Sequence, residues 1–165
     1  MDVLYLDLDG VLHPHDVHVR PDGTVFLGLL GLGHTLFEHA PLLADILSEH
    51  PDVRIVLSSS WVPSRGLAGT SQMLPPELRR RVVGATFDPH TMLHEVWASV
   101  ARGYQVQADV RQRQPAKWLA LDDDVADWPQ EDQAHLVRTD PILGLAREGA
   151  LDELRAQLKG WGRNG

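Results

Sequence analysis

The chain has no cysteine in 165 residues. Disulfides, thiol nucleophiles and cysteine metal sites are excluded, although the redox compartment stays open. No apolar stretch approaches the ~20 residues needed to span a bilayer, so no membrane partner is expected. No signal peptide precedes the first apolar run, and a cytoplasmic location is the default expectation. Repeats, low-complexity tracts and linkers are missing, and the length suits one domain over residues 1–165. Positive charge is scarce: 15 Lys and Arg stand against 23 Asp and Glu, a formal net charge of −8. That balance argues against a broad phosphate-backbone footprint, and so against long DNA or RNA. It leaves room for a small phosphorylated substrate held by a few local cations, or for a nucleic-acid end. The hydrophobic fraction, 43%, is ample for a packed core.

The most informative segment is Tyr5-Leu6-Asp7-Leu8-Asp9-Gly10-Val11-Leu12. The apolar run from Val3 to Leu6 reads as a buried strand, about residues 2–7, ended by a turn signal. Asp7 and Asp9 then leave the sheet at the strand's C-terminal end, the edge where open α/β sheets bind ligands. Two carboxylates so close repel each other and call for a cation or a shared proton. Asp is also depleted in strands and rarely buried unpaired, so a merely structural role is hard to justify.

Two further apolar strands end in polar clusters. Val53 to Leu57 leads into Ser58-Ser59-Ser60-Trp61, and Trp118 to Leu121 leads into Asp122-Asp123-Asp124, with Asp127 beyond. A third strand is expected over Val82 to Phe87 and a last one over His135 to Arg138. Helices are expected from Pro41 to about His50, over about Tyr104 to Arg113, and over Glu148 to Leu158. Another would bury Leu93, Val96, Trp97 and Val100 on one face. The tail over 160–165 is expected to fray. Strands alternating with helices imply a parallel sheet with right-handed crossovers. Val17 to Leu27, with Pro21-Asp22-Gly23 at its centre, reads as a β-hairpin within an insert of about 13–39.

Asp7-Leu8-Asp9-Gly10-Val11 resembles motif I of the haloacid dehalogenase (HAD) superfamily, and the remaining motifs follow in that family's order. The chain is similar to the small HAD domains associated with RNA-repair proteins, whose closing segment Thr139-Asp140-Pro141 and Gly144-Leu145 resemble. The resemblance implies an α/β fold: a three-layer Rossmann-like parallel sheet with helices on both faces, a minimal C0-type cap and a β-hairpin flap. It implies a phosphatase in which Asp7 is the nucleophile and Asp9 the acid/base. Motif II is a Ser or Thr at the end of an apolar strand. Relatives with Thr-x-Trp favour Ser59, with Ser58 as the alternative, for a hydrogen bond to the transferring phosphate. Asp122 and Asp123 match motif IV, and acids meeting at one sheet edge make a hard oxygen site suited to Mg²⁺. By resemblance Asp123 binds the metal directly, Asp7 through its carboxylate and Asp9 through its backbone carbonyl. Asp122 would act through water or support its neighbours, and Asp124 and Asp127 read as solvated loop acids.

Motif III should be a cation. Lys117 precedes its strand, so about five residues at ~3.3 Å each place it roughly 16 Å from Asp122, near the wrong edge. Arg102 starts the helix that feeds this strand, and such a helix begins at the catalytic edge. Arg102 is therefore the expected phosphate-binding cation, with Lys117 or Arg65 as alternatives. Trp61 reads as packing rather than as a substrate platform. His13, His15 and His18 read as a flap contacting substrate rather than as a transition-metal site. His13 follows motif I directly and could touch substrate or leaving group. His90 and His94 do not form a His-Glu-x-x-His zinc motif.

The expected activity is Mg²⁺-dependent phosphomonoester hydrolysis through an aspartyl-phosphate. The alternatives are a catalytically weak HAD-like binding module and a nucleic-acid end phosphatase in a repair system. A receiver-type phospho-acceptor would distribute its acids differently. Substrate identity and oligomeric state stay open.

Overall fold

The computed structural model describes residues 1–161. Five parallel strands form one sheet: β1 (Asp2–Leu6), β4 (Val53–Leu57), β5 (Val82–Ala85), β6 (Lys117–Asp122) and β7 (Leu136–Arg138). Their spatial order is β5-β4-β1-β6-β7, so β1 lies at the centre. A parallel sheet buried on both faces requires near-continuous apolar strands. Val3 to Leu6 of β1 are all fully buried.

Side-chain alternation divides the core into two layers. Leu4, Leu6, Ile55, Leu57, Leu119 and Leu121 point to one face. There they pack with α1 (Ala40–Ser48) and α6 (Ala150–Leu158), through Leu43, Leu47, Leu154 and Leu158. Val3, Tyr5, Val56 and Ala120 point to the other face, against Trp128 and Val106 of α5 (Arg102–Arg113). The result is the expected three-layer α/β arrangement. Pro41 lies in the first turn of α1, where its missing N–H costs nothing.

The insert after β1 contains the expected hairpin. The strands β2 (Val17–Val19) and β3 (Val25–Leu27) pair antiparallel, with His18 opposite Phe26. Gly23 has φ +86°, and the Asp22 carboxylate accepts the Thr24 N–H at 2.9 Å. The turn chemistry thus matches the Pro-Asp-Gly signal. On α2 (Trp61–Gln72), Arg65 donates to the Gly23 carbonyl at 2.6 Å and ties the hairpin tip down. The short helices α3 (Pro76–Arg79) and α4 (His94–Ala98) complete the elements.

Two expectations need correction. The helix over Leu93 to Val100 is only five residues long, and Trp97 alone of its apolar set is buried. Leu93, Val96 and Val100 are 71%, 60% and 40% exposed, because α4 ends before its stripe can lie against the sheet. His135 belongs to a 3₁₀ turn rather than to β7, where its imidazole stacks on Trp118 at 4.2 Å. At the C-terminus, Trp161 packs against the core and Lys117 Nζ donates to the Gly160 carbonyl at 3.0 Å. The rest of the expected frayed tail, 162–165, lies outside the described residues.

One cation serves the fold alone. Arg81 is 6% exposed and donates to the carbonyls of Leu47 (2.7 Å), His50 (2.9 Å) and Val53 (3.1 Å). It thereby ties together the C-terminal end of α1, the turn that follows it and the start of β4. Replacing Arg81→Met should lower unfolding free energy by ~2 kcal/mol or more in urea melts, since hydrogen bonds to charged groups contribute ~1.5–3 kcal/mol.

Candidate active site

Register assembles the site. Leu6 of β1 pairs with Leu57 of β4 and with Leu121 of β6, so Asp7, Ser58 and Asp122 emerge side by side. Backbone bonds continue the ladder by one residue: Ser58 N donates to Leu6 O at 2.8 Å and Asp7 N to Leu121 O at 3.2 Å.

The chain must then turn sharply over the sheet edge. Gly10 does this at φ +74°. The positive φ favours glycine, and a Cβ on Gly10 would land on the Asp123 carboxylate and push it aside. The closing segment clamps this loop from above. Thr139, fully buried, donates its hydroxyl to Gly10 O at 2.7 Å, and Leu145 N donates to Val11 O at 2.9 Å. Gly144 has φ +52°, and a Cβ there would collide with Val11 O. The segment that the sequence singled out without a role therefore holds the acid loop in place.

Asp7, Asp122 and Asp123 each offer a carboxylate oxygen, all within 4.8 Å of one another. Asp7 and Asp122 are 5% and 1% exposed. Arg102 reaches in from the first turn of α5. Its Nη2 lies 3.8 Å from Asp7, its Nε 3.5 Å from Asp122, and its Nη1 contacts Ser58 O. Burial raises the Asp7 carboxyl well above its ordinary range; Arg102 opposes the shift, while Asp122, Asp9 and Asp123 add to it. Burial likewise pushes Asp122 up to about 7 and raises Asp123. Burial also works against the Arg102 charge, but Asp7 and Asp122 outweigh it and hold the guanidinium above its usual value. Three carboxylates facing one guanidinium leave unbalanced negative charge in a poorly solvated place. A shared proton or a hard dication resolves it, and the all-oxygen donor set fits Mg²⁺.

The remaining candidates fall as follows. Both serines are buried; Ser58 Oγ lies 3.3 Å from Arg102 Nη1, whereas Ser59 Oγ accepts the Trp61 N–H at 3.3 Å. Lys117 begins β6 at the opposite end of the strand from Asp122. Arg65 is engaged with the hairpin tip, its guanidinium 5.6 Å from the Trp61 ring centroid. Asp124 and Asp127 are exposed loop acids. The flap histidines have separate partners: His13 meets Asp9, His15 meets Pro141 O, and His18 meets Asp16. They do not converge on a common point.

Asp9 departs from the other acids. Its Oδ1 lies 2.9 Å from His13 Nε2 and accepts the Trp61 indole N–H at 2.9 Å. Trp61 is 6% exposed, in keeping with a packing residue. Its polar contact to Asp9 spans 52 residues and has no signal in local spacing.

The family described as the HAD domain in Swiss Army Knife RNA repair proteins matches residues 3–150. No curated protein and no solved structure matches the chain. No described helix is long and apolar enough to cross a membrane.

The buried acids set an expected pH dependence. With the folded pKa of Asp7 and Asp122 above the unfolded 3.8, the native state binds more protons between about pH 4 and 7. Their contribution to stability therefore falls as pH rises through that window. In EDTA, Asp7→Asn should have a higher Tm than the unsubstituted protein at pH 8, because the substitution removes a buried charge. The difference should close towards pH 4, which thermal melts across pH would follow. Gly10→Ala should remove any rise in Tm caused by Mg²⁺, because the added methyl displaces Asp123.

Proposed function

The chain belongs to the family of HAD domains found in Swiss Army Knife RNA repair proteins, and on that footing we propose that it is a Mg²⁺-dependent phosphomonoester hydrolase working through an aspartyl-phosphate. The observation that carries the reading is the arrangement around Asp7: a buried carboxylate at the central strand's end, faced by Arg102 and flanked by Asp122 and Asp123.

In this reading an Asp7 oxygen attacks phosphorus in line while Asp9 protonates the departing oxygen. Arg102, with Ser59 or Ser58, binds the equatorial oxygens, where transition-state charge is spread. Asp9 then takes a proton from water as that water attacks the aspartyl-phosphate and frees Asp7. The metal would be held by Asp7, Asp123 and the Asp9 carbonyl, with Asp122 supporting them, and would neutralise charge on the phosphoryl oxygens. The raised pKa values of Asp7 and Asp122 describe the acids without that cation. The dication would favour their ionised forms and so make Asp7 a competent nucleophile.

Substrate size is argued from the inserts. The first holds the hairpin flap, and the second, between β5 and α5, holds only the short α4. A site without a cap domain is open and suits a bulky phosphorylated substrate or one covered by a partner subunit, whereas the net charge of −8 favours a small phosphorylated substrate over a long nucleic acid. The family's association with RNA repair supports a second reading, in which the phosphate belongs to a nucleic-acid end.

The test is phosphate release from nucleotides, sugar phosphates and 3′- and 5′-phosphorylated oligonucleotides, with and without Mg²⁺. Turnover should require Mg²⁺ and vanish in Asp7→Asn. Asp9→Asn should lower kcat by about 10²–10⁴-fold, the usual contribution of a general acid. Arg102→Lys should cost about 10²–10³-fold, because a point charge does not reproduce the guanidinium fork. Mg²⁺ binding without turnover of any ester would instead favour a binding module.

A further inference from the structure

Asp9 lies against a small aromatic box. His13 and Trp61 contact Asp9 directly, and their rings pack with Phe37, His13 lying edge-on to Phe37 at 4.9 Å between centroids and 5.8 Å from Trp61. Phe37 lies 5.6 Å from Trp61 and closes the triangle. His13 is fully buried and Trp61 nearly so, which fixes both rings.

The hydrogen bonds around His13 determine its tautomer. The Phe37 backbone N–H donates to His13 Nδ1 at 3.2 Å, so that nitrogen carries no hydrogen. The neutral ring then bears its proton on Nε2, which lies 2.9 Å from Asp9 Oδ1 and donates to it. Phe37 reaches this position with φ +59°, a left-handed conformation that non-glycine residues seldom adopt. Strain at one residue that aims its N–H at a neighbour of a candidate acid is of the kind that accompanies function. Trp61 Nε1–H supplies a second donor to the same oxygen at 2.9 Å. Among the described residues, no protein donor reaches Oδ2, and the Asp9 side chain is 25% exposed.

We infer that His13 and Trp61 are positioning residues that jointly hold Asp9 Oδ1 as an acceptor and leave Oδ2 to carry the transferable proton. The inference rests on the phosphatase reading for its chemical consequence, and on the hydrogen-bond geometry for its structural one. Two N–H groups aimed at Oδ1 leave that oxygen little capacity to hold a proton facing them. In the first half-reaction Oδ2–H gives its proton to the ester oxygen as the bond from phosphorus to that oxygen breaks and the bond from phosphorus to Asp7 forms. In the second, the Oδ2 lone pair takes a proton from the attacking water, whose oxygen bonds to phosphorus as the Asp7–phosphorus bond breaks. The same oxygen serves both steps, and neither requires the carboxyl to rotate.

Two measurements test it. ¹⁵N-edited NMR on the intact chain should show His13 as the Nε2–H tautomer and a Trp61 indole proton that moves on Asp9→Ala. An Nδ1–H tautomer, or an indole proton indifferent to Asp9→Ala, would overturn the geometry without reference to any activity. Single-turnover release of the leaving alcohol should then be compared for p-nitrophenyl phosphate, which needs little protonation, and an alkyl phosphate, which needs it fully. Trp61→Phe keeps an aromatic side chain but removes the indole N–H, so the alkyl rate should fall at least tenfold more than the aryl rate. His13→Leu should show the same selectivity, and His13→Gln, which restores a donor, should recover much of it. Equal losses on both esters in Trp61→Phe would mean that the box only packs. Absence of turnover of either ester by the unsubstituted protein would instead count against the phosphatase reading, with the NMR result standing separately.

Discussion

The charge imbalance at the end of β1 governs this structure. Asp7, Asp122 and Asp123 converge within a few ångströms in a largely dehydrated place, and among the described residues Arg102 is the cation that faces them there. Moving unpaired carboxylates out of water is among the most unfavourable things a fold can do, and proteins answer by protonation or by a counter-ion. A fold built for stability alone would have no reason to gather them. The same arrangement leaves Asp7 weakly solvated and faced by Arg102, which suits attack on a phosphoryl group.

Much of the molecule outside the sheet exists to keep those groups in register. Gly10 lets the loop pass close enough for Asp123 to lie beneath it. Thr139 and Leu145 fasten the loop from the far end of the chain, through bonds to Gly10 O and Val11 O. Gly144 permits that contact because any side chain would strike Val11 O. Rigidity of this kind is what electrostatic catalysis requires, since dipoles and charges set in advance need no reorganisation during reaction.

The two proposed acid roles are separated by environment. Asp7 sits among carboxylates and opposite a guanidinium, within reach of a metal's charge. Asp9, two residues on, turns away into the aromatic box and takes neutral N–H donors from His13 and Trp61. Environments this different let adjacent carboxylates do different chemistry. The flap contributes through Phe37, so the insert after β1 shapes the acid as well as the mouth of the site.

Apolar runs bounded by polar clusters were enough to locate every strand of the central sheet to within a residue or two, because a doubly covered parallel strand has to be apolar throughout. The acids at two strand ends, the hairpin turn and the placement of Arg102 at the head of a helix follow from the same local rules. The failures share one cause. Nothing near Trp61 in the chain tells its indole N–H that Asp9 is its partner, and nothing near Arg81 specifies the carbonyls of Leu47 and His50. The apolar stripe from Leu93 to Val100 has helical spacing, yet only packing decides that Trp97 goes inside and its neighbours stay out. Local sequence determined which segments are strands and helices and which residues carry charge to the sheet edge, since periodicity and turn chemistry act over a few residues. Tertiary structure decided which side chains complete the site, because those contacts join residues tens of positions apart and exist only once the layers have closed.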